Sequence, residues 1–182
     1  MKSTAPKKHK LEPFTGGGLK FLTSCVTVKS MKKIRKPTVK MVELKKPMDG
    51  KHGRIKYNGR EPLPHERRTI ECLSRYGFDI ETIIPSNMPG SKNPDILMMG
   101  TFWEIKCPQT DDDDTIATHF RKAVKQSGGK AIFDLRCTKN VLNVEDKIIK
   151  LFLTTREMRR IMIIKNNLTD DGATEKILDI SK

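Results

Sequence analysis

Two short apolar runs meet at a glycine in Asn93-Pro94-Asp95-Ile96-Leu97-Met98-Met99-Gly100-Thr101-Phe102-Trp103-Glu104-Ile105-Lys106, a pattern that leaves little room for anything but a tight β-hairpin. Gly100-Thr101 suits a two-residue turn with glycine first. That turn predicts Met99 opposite Phe102, Leu97 opposite Glu104 and Asp95 opposite Lys106. Because side chains alternate along a strand, Asp95, Glu104 and Lys106 fall on one face, and Ile96, Met98, Trp103 and Ile105 are offered to a core on the other. Asp95 and Glu104 then become diagonal cross-strand neighbours, roughly 7–8 Å apart at the backbone, within reach of a shared ion.

Two carboxylates on one strand face repel each other unless something positive sits between them. A hard divalent cation, Mg²⁺ or another such as Mn²⁺, fits: it takes oxygen ligands, keeps several waters and is often held by one or two carboxylates. Lys106 points to the same place and would assist a bound water or stabilise transition-state charge. An exposed hairpin face with an Asp–Lys pair is the plainer reading of any one of these residues. The matched parity of all three favours a site.

The surrounding pattern predicts a helix over about 64–76, with proline in its first turn and Gly77 as its stop. Ile70, Leu73 and Tyr76 form its buried stripe, and Glu66 lies in its first turn, close to the core-facing side. A strand over 78–84 and a turn-rich loop over 85–90 lead into the hairpin. A second helix, about 115–127, carries Thr115, His119, Lys122 and Gln126 on one face and Ile116, Phe120, Ala123 and Ser127 on the next. Asp114 or Thr115 would cap it. A solvated face is the usual reading of a polar stripe, but Thr, His and Gln replace the Lys/Glu pairs of a typical exposed helix. His119 is also placed to protonate a leaving oxygen. Strands at 130–135 and 160–164, a helix over 144–158 and an edge strand at 178–180 complete an α/β sandwich with a mixed sheet. The run Asp111–Asp114 lacks the ligand spacing of an EF-hand and reads as a solvated turn.

Charge is divided unevenly. Residues 1–60 hold 17 Lys+Arg against 3 Asp+Glu, whereas residues 61–182 hold 19 of each, so the first third carries the entire net charge of +14. With four prolines and the Gly16-Gly17-Gly18 run, residues 1–60 read as a basic arm or linker, partly disordered, although 19–28 has strand character. Such arms bind phosphate backbones through counterion release without reading sequence. Residues 61–182 suit one domain of ordinary size. The chain lacks the ~18-residue apolar run of a membrane span and an ordinary secretion signal, so the expected site of action is the cytoplasm. Cys25, Cys72, Cys107 and Cys137 form no C-x-x-C, which makes zinc unlikely and fits reduced thiols.

The pair Pro94-Asp95 followed by Glu104-Ile105-Lys106 resembles the signature of the PD-(D/E)xK nuclease superfamily. The resemblance extends to His65-Glu66, Lys92-Asn93-Pro94-Asp95-Ile96-Leu97, Trp103-Glu104-Ile105-Lys106-Cys107-Pro108, Thr115-Ile116, Lys125-Gln126-Ser127 and Ala131-Ile132-Phe133-Asp134-Leu135. Together these look like the tRNase domains at the C-termini of contact-dependent growth inhibition toxins, over about residues 61–180. The resemblance implies a PD-(D/E)xK-like mixed sheet flanked by helices. It also implies a catalytic and metal-binding set of Glu66, Asp95, Glu104 and Lys106, with Thr115 and Gln126 lining the site and tRNA as substrate. His119 and Lys122 join the substrate-facing stripe. A cognate immunity protein follows from the toxin resemblance alone. The loop Gln109–Asp114 departs from the family's shorter Gly/Ser-containing turn. A DNA endonuclease of the same superfamily from a mobile element, and a non-catalytic nucleic-acid-binding protein acting through the basic arm, are the competing readings.

Overall fold

A computed structural model describes residues 38–59, 61–169 and 172–182, all within one compact unit. The order of elements is β1 (Lys40–Leu44), β2 (Ile55–Lys56), α1 (Pro64–Arg75), β3 (Ile80–Thr82), β4 (Ile96–Met98), β5 (Thr101–Lys106), α2 (Asp113–Ser127), β6 (Lys130–Asp134), α3 (Val141–Thr154), β7 (Arg160–Thr169) and β8 (Gly172–Ser181). The eight strands form one mixed sheet in the order β1-β8-β7-β6-β5-β4-β3-β2. Strands β5, β6 and β7 run parallel, joined by α2 and α3 as crossovers, and β3-β4-β5 and β7-β8 are antiparallel. The α/β class read from the sequence is the one found.

Three sequence expectations shift. The segment assigned to a basic arm supplies both edges of the sheet: β1 pairs antiparallel with β8, and β2 pairs parallel with β3. The sheet therefore begins ahead of residue 61. The strand character noted over 19–28 lies outside the described residues. The last strand is longer than 178–180 and is internal, because β1 covers its outer side. The α3 helix starts three residues before Val144 and ends at Thr154 rather than Met158; Met158 is instead fully buried in the connection to β7.

The hairpin of β4 and β5 also turns one residue earlier than expected. Met99 and Gly100 both adopt positive φ, 51° and 65°, the signature of a two-residue turn whose twist matches that of the flanking strands. Pairing is Met98 with Thr101, Leu97 with Phe102 and Ile96 with Trp103. The regular ladder ends at Ile96–Trp103; Asp95 donates its N–H to the Trp103 carbonyl and its carboxylate accepts the Ile105 N–H, which sets it beside Glu104, where Leu97 was expected opposite Glu104. The slip is by two places across the pair, so every side chain keeps its face: Ile96, Met98, Trp103 and Ile105 are all buried.

Each face of the sheet has its own core. On one, Ile70, Cys72 and Leu73 of α1 and Tyr76 at its C-cap pack on Ile80, Ile96, Met98, Trp103, Ile105, Ile132 and Met162. On the other, Ile116, Phe120 and Ala123 of α2 and Val144, Ile148 and Phe152 of α3 pack on Ala131, Phe133, Ile161 and Ile163. The rings of Phe120 and Phe133 stack at 5.8 Å. Alternation along β5 puts Glu104 and Lys106 on the α2 side, between buried neighbours facing α1.

Candidate functional site

The site forms where β4 and β5 run under α2. Asp95 precedes β4, and its Oδ2 accepts the backbone N–H of Ile105 at 2.7 Å, while its own N–H donates to the Trp103 carbonyl at 3.1 Å. These bonds fix the carboxylate against the strand that carries Glu104. Glu104 is 1% exposed. Its Oε1 accepts from Lys106 Nζ, whereas Oε2 is buried without a hydrogen-bond partner. Lys106 Nζ also donates to Gln126 Oε1, 3.3 Å away on the last turn of α2. Burial pushes the Glu104 carboxyl up to about 7, and the negative charge of Asp95 adds to it; Lys106 opposes both and Glu66 contributes a smaller push upward.

Glu66 reaches the same region from α1. Its Oε2 accepts the Leu63 N–H at 2.8 Å, the N3 acid capping the first turn of its own helix. Glu66, Asn93, Asp95 and Gln126 line one cavity of about 230 Å³, walled by the loop between β3 and β4. Glu71, the other acid on α1, is exposed. Five of the sequence-selected residues, Glu66, Asp95, Glu104, Lys106 and Gln126, are thus brought together.

The remaining three lie further along α2. Thr115, His119 and Lys122 line a separate shallow pocket of about 240 Å³ with Asp114 and Thr118. Thr115 is engaged at its backbone by the helix cap, which is Asp112, two or three places before the expected residues; the Asp112 side chain accepts the Thr115 N–H at 2.8 Å. His119 bridges the two regions electrostatically. Burial lowers its pKa first, then the charges of Lys106 and Lys122, and its Nδ1 is buried without a partner.

Among the described residues no three His, Cys, Asp or Glu side chains converge at metal-ligand distances. Asp95 and Glu104, close enough for the one charge to act on the other, are the carboxylates that would hold a cation. Two carboxylates suffice for Mg²⁺, which completes its octahedron with water, and the unpartnered Glu104 Oε2 is an oxygen such an ion would satisfy. Glu66, whose charge also acts on Glu104, would reach such an ion through a coordinated water.

Sequence reasoning did not find a buried ionic network on the opposite face. Arg136 grips Asp134 through two bonds of 2.9 and 2.6 Å and also pairs with Glu175. Arg75 binds Glu175 at 2.6 Å, and Thr69 donates to Asp134 at 2.7 Å. Burial acts to raise the Asp134 pKa, but the Arg136 and Thr69 contacts hold it below the usual carboxylate range. No local spacing links residues 69, 75, 134, 136 and 175; only the fold does.

The architecture is that of a mixed α/β domain with an acidic pair and a lysine on one sheet face. Residues 92–169, which include Asp95, Glu104, Lys106 and all of α2, match the family model of the contact-dependent growth inhibition CdiA C-terminal domain. Among solved structures, a CdiA-CT/CdiI toxin and immunity complex from Burkholderia pseudomallei is similar at 17% identity and a TM-score of 0.48, over 66% of this chain and 96% of that one. Comparison with curated proteins finds no match. Among the described residues no helix is long and apolar enough to cross a membrane.

Proposed function

We propose that this chain is a metal-dependent endonuclease of the PD-(D/E)xK type that cleaves phosphodiester bonds in tRNA, acting as a growth-inhibition toxin with a cognate immunity protein. The observation that carries this reading is that Asp95, bonded to the Ile105 N–H, lies close enough to Glu104 for its charge to act on that carboxyl, with Lys106 on the Glu104 carboxylate and one buried Glu104 oxygen unpartnered. The toxin role rests on the family match over residues 92–169, and tRNA on the resemblance of the sequence.

Asp95 and Glu104 would hold Mg²⁺, which when bound polarises the phosphate and acidifies a water. Lys106, kept in place by Glu104 and Gln126, neutralises charge that develops on the phosphate oxygens. Glu66 adds an acceptor for a water proton at the mouth of the cavity. The basic excess in residues 1–60 adds sequence-independent attraction to the phosphate backbone.

The test incubates the protein and its Asp95→Asn form with total tRNA, duplex DNA and single-stranded DNA, each with Mg²⁺ or EDTA. Discrete tRNA fragments that require both Asp95 and Mg²⁺ support the proposal. DNA cleavage alone makes it a DNA endonuclease, and salt-sensitive binding without cleavage makes it a binding protein. A second reading draws on His119, whose unpartnered Nδ1 lies under the field of Lys106: cleavage through the RNA's own 2′-hydroxyl with Lys106 and His119. It predicts EDTA-resistant cleavage leaving 2′,3′-cyclic phosphate ends.

A further inference from the structure

Phe102 lies in β5, an internal strand of the sheet, yet is 50% exposed. It is two residues before Glu104 and so on the same face, about 7 Å along the strand from it. Its cross-strand partner Leu97 stands two residues after Asp95, also on that face. The two acids thus lie two residues from the apolar pair on the respective arms of one hairpin. Trp103, between Phe102 and Glu104, is fully buried against α1, so the exposure of Phe102 is not a disordered strand end but a chosen face. Helix α2 covers β5 at Lys106 and ends at Ser127, where the chain leaves through Gly128. Beyond that end Phe102 stays half-exposed.

Burying a phenylalanine normally stabilises a fold by about 1.5–3 kcal/mol, and a central strand offers the easiest place to do it. A ring held open one rung from a phosphate-directed site suits a flat, apolar, weakly solvated group attached to a phosphate. An unpaired nucleobase has that chemistry, and stacking on a protein aromatic recognises any base by its π-face. The flanking charges agree: Lys106 lies at the next rungs, and Lys122 and Lys125 are exposed on α2, which covers the same face.

We infer that Phe102 is a stacking platform for an unpaired base next to the scissile phosphate, which makes the preferred substrate a single-stranded loop or end rather than a paired stem. This rests on the nuclease reading above. Phe102 is a substrate-positioning residue, and no proton or electron passes through it. In a duplex the base is already stacked on its neighbours, so the platform gains nothing unless the pair opens.

The experiment measures binding of a labelled single-stranded RNA and a perfectly paired RNA duplex to the Asp95→Asn protein, with Phe102, Phe102→Ala, Phe102→Leu or Phe102→Trp. Cleavage by the same Phe102 variants is measured in the Asp95 background. Circular dichroism checks that each variant is folded. Loss of stacking should weaken single-strand binding about 5- to 150-fold, leave duplex binding nearly unchanged, and raise KM more than it lowers kcat. Trp should restore binding and Leu should not, since Leu supplies area without a ring. Equal single-strand affinity for Phe102 and Phe102→Ala, with cleavage retained, overturns the platform and leaves the nuclease standing. Restoration by Leu as complete as by Trp overturns stacking in favour of simple packing. No binding or cleavage by the parent protein overturns both.

Discussion

Asp95 is tied to Ile105 by a 2.7 Å bond from the Ile105 N–H to its Oδ2. One carboxylate thus closes the hairpin and orients itself beside Glu104.

That double duty separates two substitutions. Asp95→Asn keeps an acceptor oxygen for Ile105 and should fold as the parent does, yet lose cleavage by about 10²–10³-fold, the usual cost of removing a preorganised electrostatic group. Asp95→Ala should lose cleavage equally and also about 1 kcal/mol of stability with the lost hydrogen bond. Cleavage assays paired with urea unfolding distinguish the two.

Glu104 gives the domain a pH dependence of unusual sign. Its carboxyl rises from 4.5 in the unfolded chain to about 7 in the fold, chiefly through burial and the charge of Asp95. Between these values the folded chain binds the proton more tightly, so this contribution is full below about 4.5 and is lost as pH rises through about 7. Thermal unfolding without added metal should show the folded state losing stability across that window, by on the order of 1–3 kcal/mol. Glu104→Gln should flatten the slope, and Mg²⁺ should counter it by favouring the carboxylate. Cleavage should move the other way, rising as Glu104 loses its proton.

Lys106→Met removes the cation that opposes the burial of Glu104. Cleavage should fall by about 10²-fold, and its pH midpoint should move to higher pH because nothing then favours the Glu104 carboxylate. Lys106→Arg should keep the midpoint near its original place. A pH–rate profile of the three proteins decides, since a merely structural lysine would leave the midpoint where it was.

The Asp134–Arg136–Glu175 network is a stability element away from the acid pair. Asp134→Ala leaves Arg136 buried and half-paired, which costs about 3–5 kcal/mol and should lower Tm by on the order of 10 °C in a domain of this size. Differential scanning calorimetry measures it.

A truncation separates arm from domain. Removing residues 1–35 should leave the Tm of the sheet little changed and weaken binding to nucleic acid at low salt, whereas removing residues 1–60 takes away β1, β2 and Gly53 and should unfold it. Gly53 sits so close to Phe78 that an added Cβ would lie 2.0 Å from the Phe78 carbonyl oxygen; its N–H donates to Ser74 at 2.8 Å. Circular dichroism and fluorescence anisotropy on the two truncations test this.

The hairpin, the helix of Glu66 and the helix of Gln126 were legible because each is written in local periodicity, and face parity survives a two-place register error. The turn was misplaced because Met99 adopts a positive φ that its residue type does not advertise. β1 and β2 were hidden for a different reason. A five-residue edge strand with four exposed positions has no apolar alternation to display, and Lys40 with the lysines flanking it speaks more loudly of solvent than of a sheet. The split of the polar stripe into two pockets depends on how far α2 extends past Lys106, a distance no spacing rule encodes.

The pairing of Lys40 with Ser181 joins the two ends of the described domain in sequence. Such a contact closes almost the longest loop the domain contains, and long-range pairings of this kind slow folding. The outer edge of the sheet is consequently a late event: until β8 is available, β1 has no partner, and the growing chain presents an unfinished, sticky ladder to its surroundings.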